Sequence, residues 1–206
     1  MTGAELRELY VNTAISYLGC KESDGSHKPI IDIYNTITPR PINYKLTYTD
    51  SWCAGFVSAM GKLLDINDII LPECSCTRMI ALYKKAGRWN EKDSYIPKPG
   101  DLIMYDWDDS GSGDNTGGPE HVGIVVSVTD NKTIKIIEGN KNDKVGYRTI
   151  SVNGRYIRGW CMPDFEGKAG DLPDPGGDPG TGEGTDRRKG HKMKFLLMAM
   201  GVRRRF

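Results

Sequence analysis

The chain carries one cysteine whose position suits a reactive thiol. Cys53 follows Asp50 and Ser51, both favourable helix N-cap residues, so the sequence predicts that it lies in the first turn of a helix. The unpaired N–H groups and the positive end of the helix dipole favour a thiolate there. A thiolate beside an imidazolium is the usual activated sulfur nucleophile. Cys53 is therefore the candidate nucleophile, with a small, inert core residue as the alternative.

The candidate base is His121. Among the three histidines, His27 lies in a polar loop and His191 near the C-terminus, whereas His121 opens a β-branched segment directly after a glycine-rich loop. Side chains displayed where strands meet long loops often carry function, although a single histidine at such a place is more often structural. An imidazole is the side chain best suited to move a proton near neutral pH.

A carboxylate or an amide is expected to face this imidazole. The predicted strand 121–129 turns back at an Asp-Asn pair into the predicted strand 133–138, so residues that open the first strand face those that close the second. Glu138 and Asn140 share a face if the strand continues through Gly139. One of them could then accept a hydrogen bond from the imidazole and fix its tautomer, which would complete a set for acyl transfer.

The elements that would position this set are helices first and strands afterwards. Thr2 and Glu5 form a capping-box pattern at the start of the first helix. Apolar spacing predicts helices over about 3–18, 30–34, 53–64 and 77–86, and strands over 101–105, 121–129, 133–138, 145–152 and 156–163. Helices packed on a meandering antiparallel sheet indicate an α+β fold rather than a doubly wound parallel sheet.

Composition fits one folded domain with an appended tail. Of 206 residues, 38% are hydrophobic and 27% charged, which excludes global disorder. No apolar run reaches the roughly 18 to 20 residues that span a bilayer, and the N-terminus lacks the apolar stretch of a secretory signal. We therefore expect synthesis in the cytoplasm without a leader. Five cysteines leave at least one thiol free, and Cys74-Ser75-Cys76 is predicted to be a turn before a helix rather than a zinc knuckle.

The C-terminal tail and the rest of the chain carry net charges of opposite sign. Residues 187–206 carry eight basic and no acidic side chains, whereas residues 1–186 carry 20 basic and 27 acidic ones, so the tail holds +8 and the rest −7. The segment 167–186, rich in Gly, Pro and Asp, is predicted to be a linker between a domain over 1–166 and the tail. The tail is expected to meet a polyanion: nucleic acid, teichoic acid, lipopolysaccharide or anionic lipid. Its central apolar run could lie in an interface or in a disordered segment.

An acidic loop over 106–120 partly follows the pattern of a calcium site. The first, third, fifth, sixth and ninth positions of an EF-hand loop are matched by Asp106, Asp108, Ser110, Gly111 and Asp114. The twelfth position, which should supply a bidentate glutamate, is Gly117. We interpret the segment as an acidic loop at the rim of a cleft and assign no metal to it, with Ca²⁺ as the open alternative.

Four segments, taken in order, resemble a known family. They are residues 50–57 (DSWCAGFV), 97–103 (PKPGDLI), 121–125 (HVGIV) and 137–140 (IEGN). This order is similar to that of a CHAP domain, the cysteine- and histidine-dependent amidohydrolase/peptidase branch of the papain-like NlpC/P60 superfamily. The resemblance covers about residues 4–165, is greatest to endolysins of phages and prophages of Gram-positive bacteria, and implies a papain-like α+β fold with 1–166 as the catalytic domain.

The resemblance also implies roles for individual residues. Cys53 would attack, His121 would act as base and acid, and Glu138 and Asn140 would orient the imidazole. The bond cleaved would be an amide of bacterial peptidoglycan, with no cofactor required and with the backbone N–H of Cys53 supporting the oxyanion. A second oxyanion donor is not assigned; the weak candidates are Tyr44 and Tyr48.

Aromatic side chains near these motifs are candidates for substrate contact. Trp52, Tyr105 and Trp107 could line a groove for sugar or peptide, although burial is the commoner fate of a tryptophan. The resulting hypothesis is a monomeric endolysin that acts at the cell wall, with its basic tail on anionic envelope polymers or lipids and with no specific nucleic-acid contact. The alternatives are a virion-associated or host wall-remodelling enzyme of the same chemistry, and a catalytically inactive wall-binding module.

Overall fold

The structure, a computed structural model, describes residues 1–111 and 115–170. The predicted tail over 187–206, most of the predicted linker, Asp114 and His191 lie outside the described residues. The helices are α1 (Gly3–Ile15), α2 (Lys28–Asn35), α3 (Cys53–Leu63), α4 (Cys76–Lys85) and α5 (Phe165–Gly170). The strands are β1 (Trp89–Asn90), β2 (Leu102–Tyr105), β3 (His121–Thr129), β4 (Thr133–Glu138), β5 (Gly146–Ser151) and β6 (Ile157–Cys161).

The strands form one antiparallel sheet, which confirms the α+β class. The order across the six-stranded sheet is β1-β6-β2-β3-β4-β5. Strands β2 to β5 form the predicted meander. Strand β6, however, does not pair with β5 and lies between β1 and β2. The prediction of a continuous meander is therefore wrong at its last step.

Alternate residues of the strands pack into two separate hydrophobic clusters, one on each face of the sheet. Leu102 and Met104 of β2 pack with residues of α1 to α4, whereas Ile103 and Tyr105 of the same strand join a smaller cluster on the opposite face. This alternation is the expected two-residue period of a strand. Helices thus cover one face of the sheet, and the other face carries its own aromatic and aliphatic cluster.

The C-terminal end of the described chain is helical rather than a linker. Helix α5 includes residues 167–170, which the composition assigned to the linker. It is held on α1, because the Arg7 guanidinium lies 4.7 Å from the centre of the buried Phe165 ring and its Nε donates to Glu166 at 3.1 Å. Within the described residues, no helix has the length and apolar character needed to cross a membrane.

Candidate active site

Cys53 is the first residue of α3, as predicted, but this helix begins without a capping side chain. Trp52 occupies the N-cap position and makes no side-chain capping bond. The prediction that Asp50 or Ser51 caps the helix is wrong. The Asp50 carboxylate instead accepts from the Thr47 N–H at 2.7 Å and from the Tyr44 hydroxyl at 3.1 Å. The first-turn N–H groups of α3 therefore remain available to a thiolate or an oxyanion.

Cys53 and His121 shift each other's pKa in opposite directions. Hydrogen bonds from Cys76 and His121 hold the pKa of the Cys53 thiol well below its usual range, although burial opposes this. Burial also disfavours the charged imidazole, yet hydrogen bonds to Cys53 and Glu138 raise the pKa of His121 to about 9. The two directions together favour a thiolate–imidazolium pair over a neutral thiol and imidazole.

Glu138 holds the imidazole from the other side. Its fully buried carboxylate places Oε2 at 3.2 Å from Nε2 of His121. Burial raises the pKa of Glu138, but hydrogen bonds from His121 and Arg148 outweigh burial and lower it. The side chain is therefore ionised and can accept a hydrogen bond from the imidazole. Because Nε2 is engaged by Glu138, Nδ1 is the nitrogen left to exchange a proton with Cys53.

Arg148 is a site residue that the sequence analysis missed. Its Nε donates to Oε1 of Glu138 at 2.6 Å, and the Tyr105 hydroxyl donates to the same oxygen at 2.7 Å. The guanidinium also lies 4.9 Å from the centre of the Trp107 ring. Arg148 sits on β5, opposite Ile136 and therefore two residues along β4 from Glu138. Only the pairing of β4 with β5 reveals this neighbourhood, so no local signal marks Arg148.

Asn140 lies outside the hydrogen-bonded set. Strand β4 ends at Glu138, and Gly139 and Asn140 form a turn in which Asn140 has a φ of 57°. The condition for a shared face, a strand that continues through Gly139, is therefore not met. The buried Oδ1 of Asn140 has no hydrogen-bond partner among the described residues. A catalytic role for Asn140 stays a prediction without a supporting contact.

The three aromatic candidates differ in what they can offer a substrate. Trp52 is fully buried, donates from Nε1 to Glu22 at 2.9 Å and packs edge-on against Phe56. Tyr105 is also fully buried, and its hydroxyl donates to Glu138. Trp107 is half-buried and stacks on Tyr105 at a centroid distance of 4.8 Å, with its own ring 6.0 Å from that of His121. Of the three, only Trp107 keeps part of its side chain exposed near His121.

A second thiol lies against the candidate nucleophile. Sγ of Cys76 is 3.9 Å from Sγ of Cys53. Cys76 is the first residue of α4, whose N-cap is Ser75, so the predicted turn before a helix is confirmed. The sequence analysis did not connect the two cysteines, because they belong to different helices whose starts converge only in the fold.

Other side chains considered from the sequence have structural partners. His27 is buried and its Nε2 lies 2.9 Å from the Tyr48 carbonyl oxygen. The hydroxyl of Tyr48 donates to Asp32 at 2.9 Å and that of Tyr44 to Asp50 at 3.1 Å. Neither tyrosine hydroxyl is therefore aimed at an oxyanion in this structure.

The acidic loop gathers three carboxylates beside the site. Oxygen atoms of Asp106, Asp108 and Glu120 lie within 4.8 Å of one another. Glu120, three residues after Gly117, is a carboxylate that the sequence pattern did not include. These side chains could hold a cation, but acidic residues on exposed loops commonly cluster without one. Calcium binding therefore stays a prediction.

The arrangement can perform nucleophilic acyl transfer. It unites a thiolate at a helix start, an imidazolium that can donate a proton, and a buried carboxylate that fixes the ring. The CHAP domain family model matches residues 43–140, a segment that includes Cys53, His121 and Glu138. No curated protein matches the chain.

Proposed function

Because residues 43–140 of the chain are a CHAP domain, a papain-like hydrolase module of cell-wall amidases and peptidases, we propose that the protein is a cysteine amidase or endopeptidase of bacterial peptidoglycan. The observation that carries this proposal is the hydrogen bond of the buried Glu138 carboxylate to His121. The opposite pKa shifts that Cys53 and His121 impose on each other support it. A catalytically inactive wall-binding module would have no use for a buried carboxylate that holds an imidazolium against a thiolate. We further propose an endolysin of phage or prophage type.

The first half of the reaction forms an acyl-enzyme. The Cys53 thiolate adds to the carbonyl carbon of a stem-peptide or cross-bridge amide, and the carbonyl oxygen becomes an oxyanion. Backbone N–H groups in the uncapped first turn of α3 donate to that oxyanion, and the helix dipole favours its charge. Nδ1 of His121 then donates its proton to the leaving amine, and the C–N bond breaks.

The second half returns the enzyme to its starting state. The neutral imidazole takes a proton from water, which attacks the thioester carbonyl and releases the acid product with Cys53 as thiolate. Glu138 keeps the ring in one orientation through both steps, because its bond to Nε2 persists whether the ring is charged or neutral. Nucleophile, proton donor and orienting group are all side chains, so the proposed reaction requires no metal.

Substrate contact is proposed for Trp107. Its half-exposed ring lies 6.0 Å from that of His121 and packs against Tyr105 and Arg148. A ring fixed in this way can support a sugar or a peptide backbone without losing much side-chain freedom on binding. Trp52 and Tyr105, both fully buried, would act on the substrate only through the residues that they support.

The proposal extends to partners and location. We propose a monomer that is made in the cytoplasm, acts at the wall and reads no specific nucleic acid. The basic residues of 187–206 would hold it to anionic envelope polymers or lipids through charge.

The test is digestion of purified peptidoglycan by the full chain. Release of new amino groups without new reducing sugar ends is expected, and mass spectrometry of the fragments identifies the amide that is cut. Cys53→Ala should abolish release while leaving the fold intact. Cys20→Ala, which removes a half-buried thiol outside the site, should cleave as the parent does.

Other outcomes select the alternatives. Wall binding without any release by the parent would favour the inactive binding module, and release by Cys53→Ala equal to that of the parent would refute the nucleophile. Packaging of the protein in phage particles would favour a virion-associated enzyme over an endolysin.

A further inference from the structure

Two cysteines that are far apart in the sequence bring their sulfur atoms into contact at the candidate active site. Cys53 opens α3 and Cys76 opens α4, and their Sγ atoms lie 3.9 Å apart. Each residue keeps a small exposed fraction, 6% for Cys53 and 7% for Cys76. The proposed hydrolysis uses only the first of these two thiols.

The thiols of Cys53 and Cys76 have pKa values shifted in opposite directions. The contact with Cys76 is the main cause that lowers the pKa of Cys53, and the contact with Cys53 is the main cause that raises the pKa of Cys76 well above its usual range. Cys76 is therefore the thiol that donates, and Cys53 is the thiolate that accepts. Thiolates react with peroxides far faster than thiols do, so oxidation is expected to begin at Cys53.

We propose that Cys53 and Cys76 form a redox pair, in which a peroxide oxidises Cys53 and Cys76 closes a disulfide that reversibly blocks the nucleophile. The effect on catalysis rests on the proposed role of Cys53, whereas the disulfide itself rests only on the contact between the sulfurs. The disulfide would protect the sulfur of Cys53 from further oxidation. A sulfenic acid can be reduced by simple thiols, whereas the sulfinic and sulfonic acids cannot.

The chemistry balances in two steps. The Cys53 thiolate attacks the peroxide, an S–O bond forms, the O–O bond breaks, and hydroxide leaves; Cys53 becomes a sulfenic acid. The sulfur of Cys76 then attacks the sulfenic sulfur, an S–S bond forms, the S–O bond breaks, and the hydroxyl leaves as water with the proton of Cys76. The two sulfurs together give up two electrons, and the peroxide takes them.

Geometry favours Cys76 over the other cysteines as the second partner. A disulfide needs the sulfurs to approach by roughly 2 Å from their contact distance of 3.9 Å. Cys74, two residues earlier, directs its thiol instead to Oε1 of Glu73 at 3.8 Å. Cys74 is thus a matched control, since it lies in the same segment but does not touch the nucleophile.

The test combines mass mapping with recovery of activity. The full chain is treated with hydrogen peroxide, the remaining thiols are alkylated, and the protein is digested without reduction. The expected product is a cross-linked peptide pair that contains Cys53 and Cys76, with the intact mass lowered by two hydrogens. Cleavage of peptidoglycan should be lost with the same time course and should return after dithiothreitol.

Variants separate this proposal from simple oxidation of Cys53. Cys76→Ser should lose activity in peroxide and regain little with dithiothreitol, because its Cys53 proceeds to sulfinic acid. Recovery is compared with each variant's own untreated rate, since Cys76→Ser also removes a donor to the thiolate. Cys74→Ser should form the cross-link and recover as the parent does.

Two results would overturn the proposal. One is the absence of a Cys53–Cys76 peptide from the parent protein at a peroxide dose that abolishes its activity. The other is recovery of Cys76→Ser as complete as that of the parent. Because the cross-link is read by mass, it can be found in a protein that cleaves no peptidoglycan, so a failure of the proposed function and a failure of the redox pair give different results.

Discussion

Arg148 neutralises Glu138 on the carboxylate oxygen that does not face the imidazole. Its Nε donates to Oε1 at 2.6 Å, while Oε2 remains for His121 at 3.2 Å. The carboxylate is fully buried, and a buried anion without a counter-charge tends to take up a proton. A protonated Glu138 would no longer stabilise the imidazolium. Arg148 is therefore a positioning residue that acts through Glu138.

Replacement of Arg148 should weaken catalysis and change its pH dependence. Arg148→Leu removes a charge-assisted hydrogen bond worth about 1.5 to 3 kcal/mol, so kcat/KM should fall roughly 10- to 150-fold. The pKa of Glu138 should rise and that of His121 should fall, which moves the alkaline limb of the profile to lower pH. The measurement is kcat/KM against pH on a soluble peptidoglycan fragment. Arg148→Lys keeps the charge and should recover part of the loss; an unchanged alkaline limb in Arg148→Leu would contradict the role.

The parent enzyme should have a bell-shaped pH profile. The pKa of Cys53 is lowered and that of His121 is raised to about 9, so the thiolate–imidazolium pair exists between the two values. Activity should fall on the acid side as the thiolate takes a proton. On the alkaline side it should fall near pH 9, as the imidazolium loses the proton that the leaving amine needs. Alkylation of Cys53 by iodoacetamide needs only the thiolate, so it should show the acid limb but no fall near pH 9.

Glu138→Gln isolates the contribution of the carboxylate to this profile. Loss of the adjacent negative charge should lower the pKa of His121, so the alkaline limb should move down by about 1 pH unit or more. Glu166→Gln is the matched control, because Glu166 also accepts from an arginine, Arg7 at 3.1 Å, but lies on α5 away from the site. Equal profiles for Glu138→Gln and the parent would exclude a stabilising role for the carboxylate.

Gly139 is predicted to be required for packing rather than for backbone freedom. A Cβ at Gly139 would lie 2.6 Å from Cγ of Phe56 and 2.9 Å from Cζ3 of Trp52, both buried and unable to yield. Gly139→Ala should therefore lower the free energy of unfolding by about 1 to 3 kcal/mol, measured by chemical denaturation. Gly118→Ala is the control, since a Cβ there meets nothing within 4 Å. If Gly139→Ala lowers the free energy of unfolding no more than Gly118→Ala does, the packing requirement at Gly139 is contradicted.

Local sequence patterns predicted most of the helices and strands, because the formation of these elements depends largely on residues that are close in sequence. The β-branched apolar run of 121–129 and the alternation in 133–138 predicted strands β3 and β4 with their observed bounds. The same patterns could not place β6, since its insertion beside β2 depends on pairing between distant segments. The predicted cap of α3 failed for a related reason: Asp50 satisfies Thr47 and Tyr44 rather than the helix.

The candidate site was predictable only in part for the same physical reason. Cys53, His121 and Glu138 follow from a helix start and a hairpin, both of which can be read along the chain. Arg148 reaches Glu138 through the register of β4 with β5, and Cys76 reaches Cys53 through the convergence of two helices. Neither contact has a local signal, so both required the structure.

The basic tail is predicted to strengthen wall binding through charge alone. Truncation should follow Gly170 rather than residue 166, because α5 packs on α1 and belongs to the folded domain. The truncated protein should cleave soluble fragments at the parent rate but sediment less with intact walls at low salt, and the difference should shrink as salt screens the charges. A full-length variant with the eight basic residues of 187–206 changed to glutamine should match the truncation. Binding of the parent and both variants that is equal at every salt concentration would contradict an electrostatic role for the tail.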